Sequence, residues 1–528
     1  MSVPSPDLAI GGFSDEGPWV VDPDAMRWRH DVDHLRDDAR AQVPAWMATR
    51  RIPPLGRFAH VVGQVGWALG MWLLVDKRNG SQASRRGLSR RLRIAFGHLG
   101  PTYIKLGQII SGGEGLFPPE LVAEFKLLRD RVPAEPFDEV RRVVELDLGR
   151  SLDDVFESFD RTPLAAASIA QVHAAKLRTG EAVVVKVQRP QIARLVRQDL
   201  EAMAWLAPHL TGRIPVAALA NPPALVELFA ETIVEELDFR LEAQNMLDVA
   251  RVLAETEQRA LLVPRPHPTL VTRRVLVMER LHGIPWDDVA AMKLAGVDTE
   301  AVLHAGMVGF MEGAMLYGVF HGDLHGGNLM VQPDGRTVLM DFGITGRLDE
   351  PQRLAFMMLL VGGSTGDTMG QLRALRDLGA FPPDTDLDKV FVDLELDRTI
   401  DPTELSADEL VSWMQELTKK LLAYGARAPK ELMLFVKNMM FLDGAIARLA
   451  PDLDILEEIQ KVHTEIALRH GQRIAQQLGM EEYVGDIDMD AIKASMGVSS
   501  DVEKLTYRDV QARRKIIRGR LEEKRRRR

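Results

Sequence analysis

At 528 residues the chain is long enough for two or more folding units around a large core. Its 66 basic and 76 acidic residues leave a net charge of −10, so it is no polycation and nucleic acid is not an expected partner. It has no cysteine, which excludes disulfides, thiolate metal sites and a cysteine nucleophile and fits a cytoplasmic protein.

Residues 1–50 mix Pro, Gly and Asp with little periodicity and predict a mostly disordered segment with one short helix. The acidic start lacks the basic-then-apolar layout of a signal peptide. A helical extension is expected over 51–150. Within it, Phe58 to Val75 carries no fixed charge, two tryptophans and Gly66-x-x-x-Gly70, and Lys77, Arg78, Arg85, Arg86, Arg90, Arg91 and Arg93 follow. At helical rise this stretch would only just cross a hydrocarbon core of about 30 Å. Apolar residues beside a basic cluster suit an anionic membrane surface, and a helix packed on the protein's own core fits equally well. A bilayer span ranks third, because Gly63, Gln64, Gly66 and Gly70 weaken the apolar run.

Tyr103 to Pro136 is a helical pattern broken at a Gly-rich turn and restarted by Pro118-Pro119. It contains Lys105, Gly107 and Gln108 in the order K-x-G-Q, in which Lys105 taken alone reads as an ordinary surface lysine. In 151–282, strands over Val172–Leu177 and Ala182–Val187 flank a Thr179-Gly180 turn, and the second strand carries one charge, Lys186. A lysine among strand valines is costly unless paired. Ahead of these strands lies Ala165-Ala166-Ala167-Ser168, by itself a common helix start. Further on, Glu235, Asp238 and Glu242 repeat at helical spacing, which is either a solvated face or a source of partners for that lysine. Val275 to Glu279 reads as a buried strand running into Arg280-Leu281-His282-Gly283.

Residues 283–480 are helical by periodicity apart from Phe320 to Gly346. There the runs Leu329–Val331 and Val338–Met340 are joined by the turn Pro333-Asp334-Gly335, a hairpin that would return Asp341 to Asn328. A carboxylate and an amide converging in this way can hold a hard cation through oxygen, which leaves Asp323 free to orient a hydroxyl or water. His321, Asp323, His325 and Asp341 also suit the ligand set of a metallohydrolase. Met357, Met358, Met433, Met439 and Met440 read as core filler, though flexible Met can line a lipid pocket. The stretch 481–528 ends in a basic tail.

The order of Lys186, Glu242, Glu279–Leu281, Asp323-x-x-x-x-Asn328 and Asp341-Phe342-Gly343 resembles that of protein kinases, which decides against the metallohydrolase. The K-x-G-Q motif, the alanine-rich loop and Glu236-x-Asp238 followed by Glu242 in E-A-x-N are similar to the UbiB (aarF-type) family of atypical kinases. The resemblance covers roughly Arg90 to Leu360 and implies an α+β, two-lobed kinase-like fold, with an N-lobe over 151–282 and a C-lobe over 283–480. It implies Mg-ATP or Mg-ADP as ligand, with Asn328 and Asp341 on Mg2+ and Asp323 as base or water-orienting group. By the same resemblance Lys186 contacts phosphates, Glu242 positions it, and Ala165, Ala166, Ala167, Ser168, Glu279 and Leu281 line the nucleotide. Lys105 and Gln108 would cover the cleft, with Glu236 facing Lys105.

There are departures from the family. Gly112-Gly113-Glu114-Gly115 stands where an arginine and an aspartate are usual, Gly326 replaces a proline and is expected to loosen the catalytic loop, and no A-P-E motif follows Gly343. With no room for a peptide-docking activation segment, an atypical kinase or ATPase acting on a membrane lipid or isoprenoid-quinone intermediate is expected. It would be peripheral to the inner face of the membrane, as a homodimer or in a biosynthetic complex. A nucleotide-binding regulator of weak activity and a lipid-binding scaffold are the alternatives.

Overall fold

A computed structural model describes residues 12–15, 17–48, 56–78, 81–112, 118–128, 133–210, 222–396, 429–483, 487–496 and 498–527, with scattered positions between 409 and 427. Parts of several sequence expectations lie outside the described residues: the first eleven positions, Gly113-Glu114-Gly115, and residues 397–408 of the helical C-terminal half.

The N-terminal part is helical: α1 (Val32–Met47), α2 (Arg57–Met71), α3 (Ser81–Leu99), α4 (Pro101–Gly112) and α5 (Pro119–Phe125). Next come α6 (Phe137–Leu148) and a sheet of strands β1 (Phe156–Phe159), β2 (Ala165–Ala166), β3 (Ala170–Leu177) and β4 (Ala182–Gln188). Helices α7 (Ile192–Leu210), α8 (Pro222–Glu236) and α9 (Phe239–Glu255) lead to β5 (Leu261–Leu262) and then to β6 (Pro266–Val271) and β7 (Val275–Glu279). The sheet runs β1-β3-β4-β7-β6 and is antiparallel throughout, with β2 added to β3. The expected hairpin is present, and Gly180 at its turn has φ +107°, which a glycine adopts without steric cost.

Period-2 alternation explains what this sheet does. Val183, Val185 and Val187 face α6 and are buried with Val140, Val143 and Val144, each contributing roughly 1.5–3 kcal/mol. The alternate face therefore presents Val184 and Lys186 to the interlobe cleft. Because α6 covers this sheet, it belongs to the N-lobe and not to the helical extension the sequence suggested.

The C-lobe holds β8 (Ile284–Pro285), α10 (Thr299–Glu312), β9 (Val319–His321), β10 (Leu329–Val331), β11 (Thr337–Leu339), β12 (Thr345–Arg347) and α11 (Glu350–Thr365). It continues with α12 (Lys430–Leu449), α13 (Ile455–Leu478) and α14 (Tyr507–Arg527). The β10–β11 hairpin pairs Leu329 with Leu339, and β5 adds to β11 in parallel. Phe435 of α12 anchors that helix among Phe310, Phe320 and Phe356.

The N-terminal end departs from expectation. Residues 12–15 and 17–48, expected to be mostly disordered, form a strap that ends in α1. Val263 N donates to Gly12 O at 2.6 Å, Trp19 to Pro266 O at 3.1 Å and Trp28 to His267 O at 3.3 Å. Met26 and Trp28 are buried, so apolar anchors outweigh a polar composition. At the other end, the basic stretch forms α14, held by buried Tyr507 and an Arg514–Asp443 ion pair at 2.7 Å.

Candidate active site

A cleft of about 1950 Å³ separates the lobes, above the ~300–1,000 Å³ of a typical small-ligand site. The residues that the kinase resemblance put forward all line it: Lys186, Glu242, Asp323, Asn328, Asp341, Ala165 to Ser168, Glu279, Leu281, Lys105, Gln108 and Glu236.

Lys186 is held at its centre, its Nζ 2.7 Å from Glu242 Oε1 and 3.0 Å from Asp341 Oδ1, over the face of Phe239. Glu242 comes from the first turn of α9, whose start is fixed by Asp238 accepting from Arg240 N at 3.1 Å. Burial opposes charge on Lys186, but Asp341 and Glu242 outweigh it and raise the ammonium's pKa. Burial dominates at Glu242 and pushes its carboxyl up to about 7 against the pull of Lys186. Asp341 is lowered, because Lys186 and Lys105 overcome its desolvation. It sits deep in the cleft, yet 43% of its side chain remains open to it.

The hairpin register does what the sequence required. Met340 N donates to Asn328 O at 2.9 Å, which sets Asp341 beside Asn328. Asp341 has φ +59°, a left-handed conformation uncommon for a non-glycine residue and typical of a functional constraint. Asn245, the asparagine of E-A-x-N, donates to Phe342 O at 2.8 Å and accepts from Arg36 and Arg347. The strap, α9 and the D-F-G turn are thereby tied together.

Asn328 donates its amide to Asp323 O at 3.0 Å, so its amide oxygen remains as an acceptor beside the Asp341 carboxylate. Two oxygen donors at a cleft suit a magnesium ion that keeps water and phosphate in its other positions. His321 is not available as a metallohydrolase would need, because both of its ring nitrogens are engaged. His321 Nε2 is bound to Met340 O at 3.0 Å while Nδ1 accepts from Asp323 N, and His325 Nδ1 accepts from Gly327 N. No cluster of three or more His, Cys, Asp or Glu fit for a metal occurs among the described residues.

Asp323 is ionised well below the usual carboxylate range. Burial would raise it, but Lys437, Lys105 and His325 outweigh that effect. Lys437 of α12 donates directly to its Oδ1. The sequence reading did not single out Lys437 or its neighbour Asn438. The signal was weak: the Lys-Asn pair interrupts the apolar run Leu432–Leu442, but a polar pair on a helix ordinarily marks its solvated face.

Helix α4 lies across the cleft. Lys105 is not an ordinary surface lysine: only 12% of its side chain is exposed, and Nζ lies 3.0 Å from Glu236 Oε1. Burial disfavours the ammonium, but Glu236, Asp323 and Asp341 together raise its pKa.

The alanine loop is not a helix start. Ala165–Ala166 form β2, Ala167 N donates to Ala170 O at 2.8 Å, and Arg189 donates to Ala167 O while pairing with Glu135. At the expected hinge, the N–H of Glu279 is already committed to Arg265 O. Gly326 leaves room for Asp287, whose Oδ1 a Cβ there would meet at 2.9 Å. After Gly343 the chain pairs β12 with β9 and enters α11 at Glu350, leaving no activation segment.

Comparison with known proteins agrees with this arrangement. Residues 127–373 match the ABC1 atypical kinase-like domain. An uncharacterized protein of Mycobacterium tuberculosis is 37% identical over 379 residues, spanning 70% of this chain and 76% of that one. A chloroplastic aarF domain-containing protein kinase of Arabidopsis thaliana is 34% identical over 70% of this chain and 73% of its own length. A probable protein kinase UbiB of Aeromonas hydrophila is 33% identical over 70% of this chain and 69% of its own. Kinase-order residues gathered in one cleft and these relatives lead to the same conclusion: the chain belongs to the ABC1 atypical kinase-like family, the group that includes the UbiB and aarF proteins.

Proposed function

We propose that this protein is an atypical kinase or ATPase that binds Mg-ATP or Mg-ADP and acts in isoprenoid-quinone or lipid metabolism at a membrane. The observation that carries the reading is the meeting of Lys186 with Glu242 and Asp341, which come from three separate segments of the chain. Lys186 binds the nucleotide phosphates and Glu242 fixes its direction. Asp323, kept ionised, accepts a hydrogen bond from the attacking hydroxyl or water. Asn328 and Asp341 would hold magnesium, which when bound offsets negative charge on the phosphates. Helix α4, laid over the cleft, restricts access to Asp323, which favours a small or lipid-like acceptor over a peptide. The same cover supports the second reading, a nucleotide-binding regulator of weak turnover.

Membrane association rests on α2 and the turn after it, Arg57–Asp76, which is long and apolar enough to cross a bilayer by length and composition. Val61, Val65 and Ala68 pack inward, whereas Trp67, Leu73, Leu74 (80% exposed) and Val75 face outward. A helix buried along only one narrow stripe, with an apolar outer face beside Lys77 and Arg78, suits the surface of an anionic, cytoplasmic leaflet. The quinone assignment follows the UbiB names of relatives.

An ADP-release assay with and without anionic liposomes tests the reading. Magnesium-dependent release that falls by about 10²–10⁴-fold in Asp323→Asn is expected. Nucleotide-induced thermal stabilisation without release would favour the regulator instead.

A further inference from the structure

We infer that Lys437 orients Asp323 and meets the terminal phosphoryl group of the nucleotide, an inference that rests on the kinase or ATPase reading. Helix α12 reaches the catalytic loop through two adjacent residues with separate tasks. Asn438, fully buried, accepts from Leu324 N at 3.0 Å and donates to His321 O. These two bonds join helix to loop on either side of Asp323, so the mechanical link is already made. Lys437 adds charge: its ammonium donates to Asp323 Oδ1 from the wall of the cleft.

The direction of that contact has a chemical result. With Oδ1 taken by Lys437, Oδ2 is the oxygen left for an acceptor, His325 Nε2 standing 4.0 Å from it. A base within hydrogen-bond reach of an attacking hydroxyl lies next to the phosphoryl group under attack. An ammonium carries three donors, and one is committed to Asp323. The others stand where negative charge spreads over the transferred group. Lys186 reaches the phosphates from the strand beside Glu242 and Asp341, and Lys105 faces Glu236, whereas Lys437 is the lysine whose ammonium is bonded to Asp323 itself.

The test uses the full chain and compares wild type, Lys437→Met and Lys437→Arg. ADP release is measured together with thermal stabilisation by Mg-ADP and by a non-hydrolysable Mg-ATP analogue. The expected result for Lys437→Met is a kcat lower by about 10²-fold, with stabilisation by Mg-ADP unchanged and the extra stabilisation by the ATP analogue lost. Lys437→Arg should recover part of both. Release from Lys437→Met equal to wild type overturns the inference alone. So does a loss in which the unliganded melting temperature and both nucleotide responses fall together without rescue by arginine, since that marks a packing role. A wild type that releases no ADP overturns the functional reading, and this inference with it.

Discussion

Two buried lysines meet glutamates on successive helices facing one cleft, yet the pairs are built differently. Lys186 projects from the middle strand of a rigid sheet and makes well-directed hydrogen bonds to Glu242 and Asp341 at 2.7 and 3.0 Å. Lys105 projects from α4 and lies 3.0 Å from Glu236, but Oε1 of that glutamate has no well-directed hydrogen bond. The first pair is fixed by the core of both lobes. The second joins a covering helix to the cleft by one ion pair, so α4 is expected to open more readily than the sheet.

The largest expected effect separates the two pairs by activity. Lys186→Met should lower ADP release by at least about 10²-fold, whereas Lys105→Met should stay within about tenfold of wild type. A reversed order in steady-state kinetics would break the comparison.

A smaller effect is in the pH dependence of stability. Glu242 is raised from 4.5 to about 7, by burial first, with Lys186 opposing and Asp341 and Glu236 adding. The folded state therefore binds more protons there, so this group's stability contribution is full below pH 4.5 and is lost as pH rises to about 7. Glu242→Gln should flatten the melting temperature across that interval. Asp323 and Asp341, both lowered, act in the opposite sense, and only below their ordinary 3.8.

The smallest effect sharpens the idea of a liftable cover. Lys105→Met leaves Glu236 without its cation at a local cost of about 1–3 kcal/mol. Amide exchange in α4 should quicken while β3 and β4 keep wild-type protection. Equal acceleration in the sheet would show that the cover is part of the core.

Much of this site was legible because kinase chemistry is written in short-range patterns. Lys186 stands out against valines, the Pro333-Asp334-Gly335 turn announces the hairpin, and Asp323 and Asn328 lie within one loop. What escaped depends on contacts distant in sequence. Lys437 is 114 positions from Asp323, and a single charge on a helix is usually solvated. The strap hid for a different reason: Phe13, Met26 and Trp28 are widely spaced anchors with no period, and a composition rich in Pro, Gly and Asp concealed them. At the other end, the basic content of α14 masked one buried tyrosine, Tyr507.

The bonds from α12 to the catalytic loop bear on where this protein can be cut. The family match ends at residue 373 and begins at 127, so a fragment expressed to those limits would carry Asp323, Asn328 and Asp341 but neither Lys437, Asn438 nor Lys105. In such a truncation His321 O and Leu324 N lose their buried partners and Asp323 loses two of its neutralising cations. Silence of such a fragment in an assay would therefore be no test of the full chain.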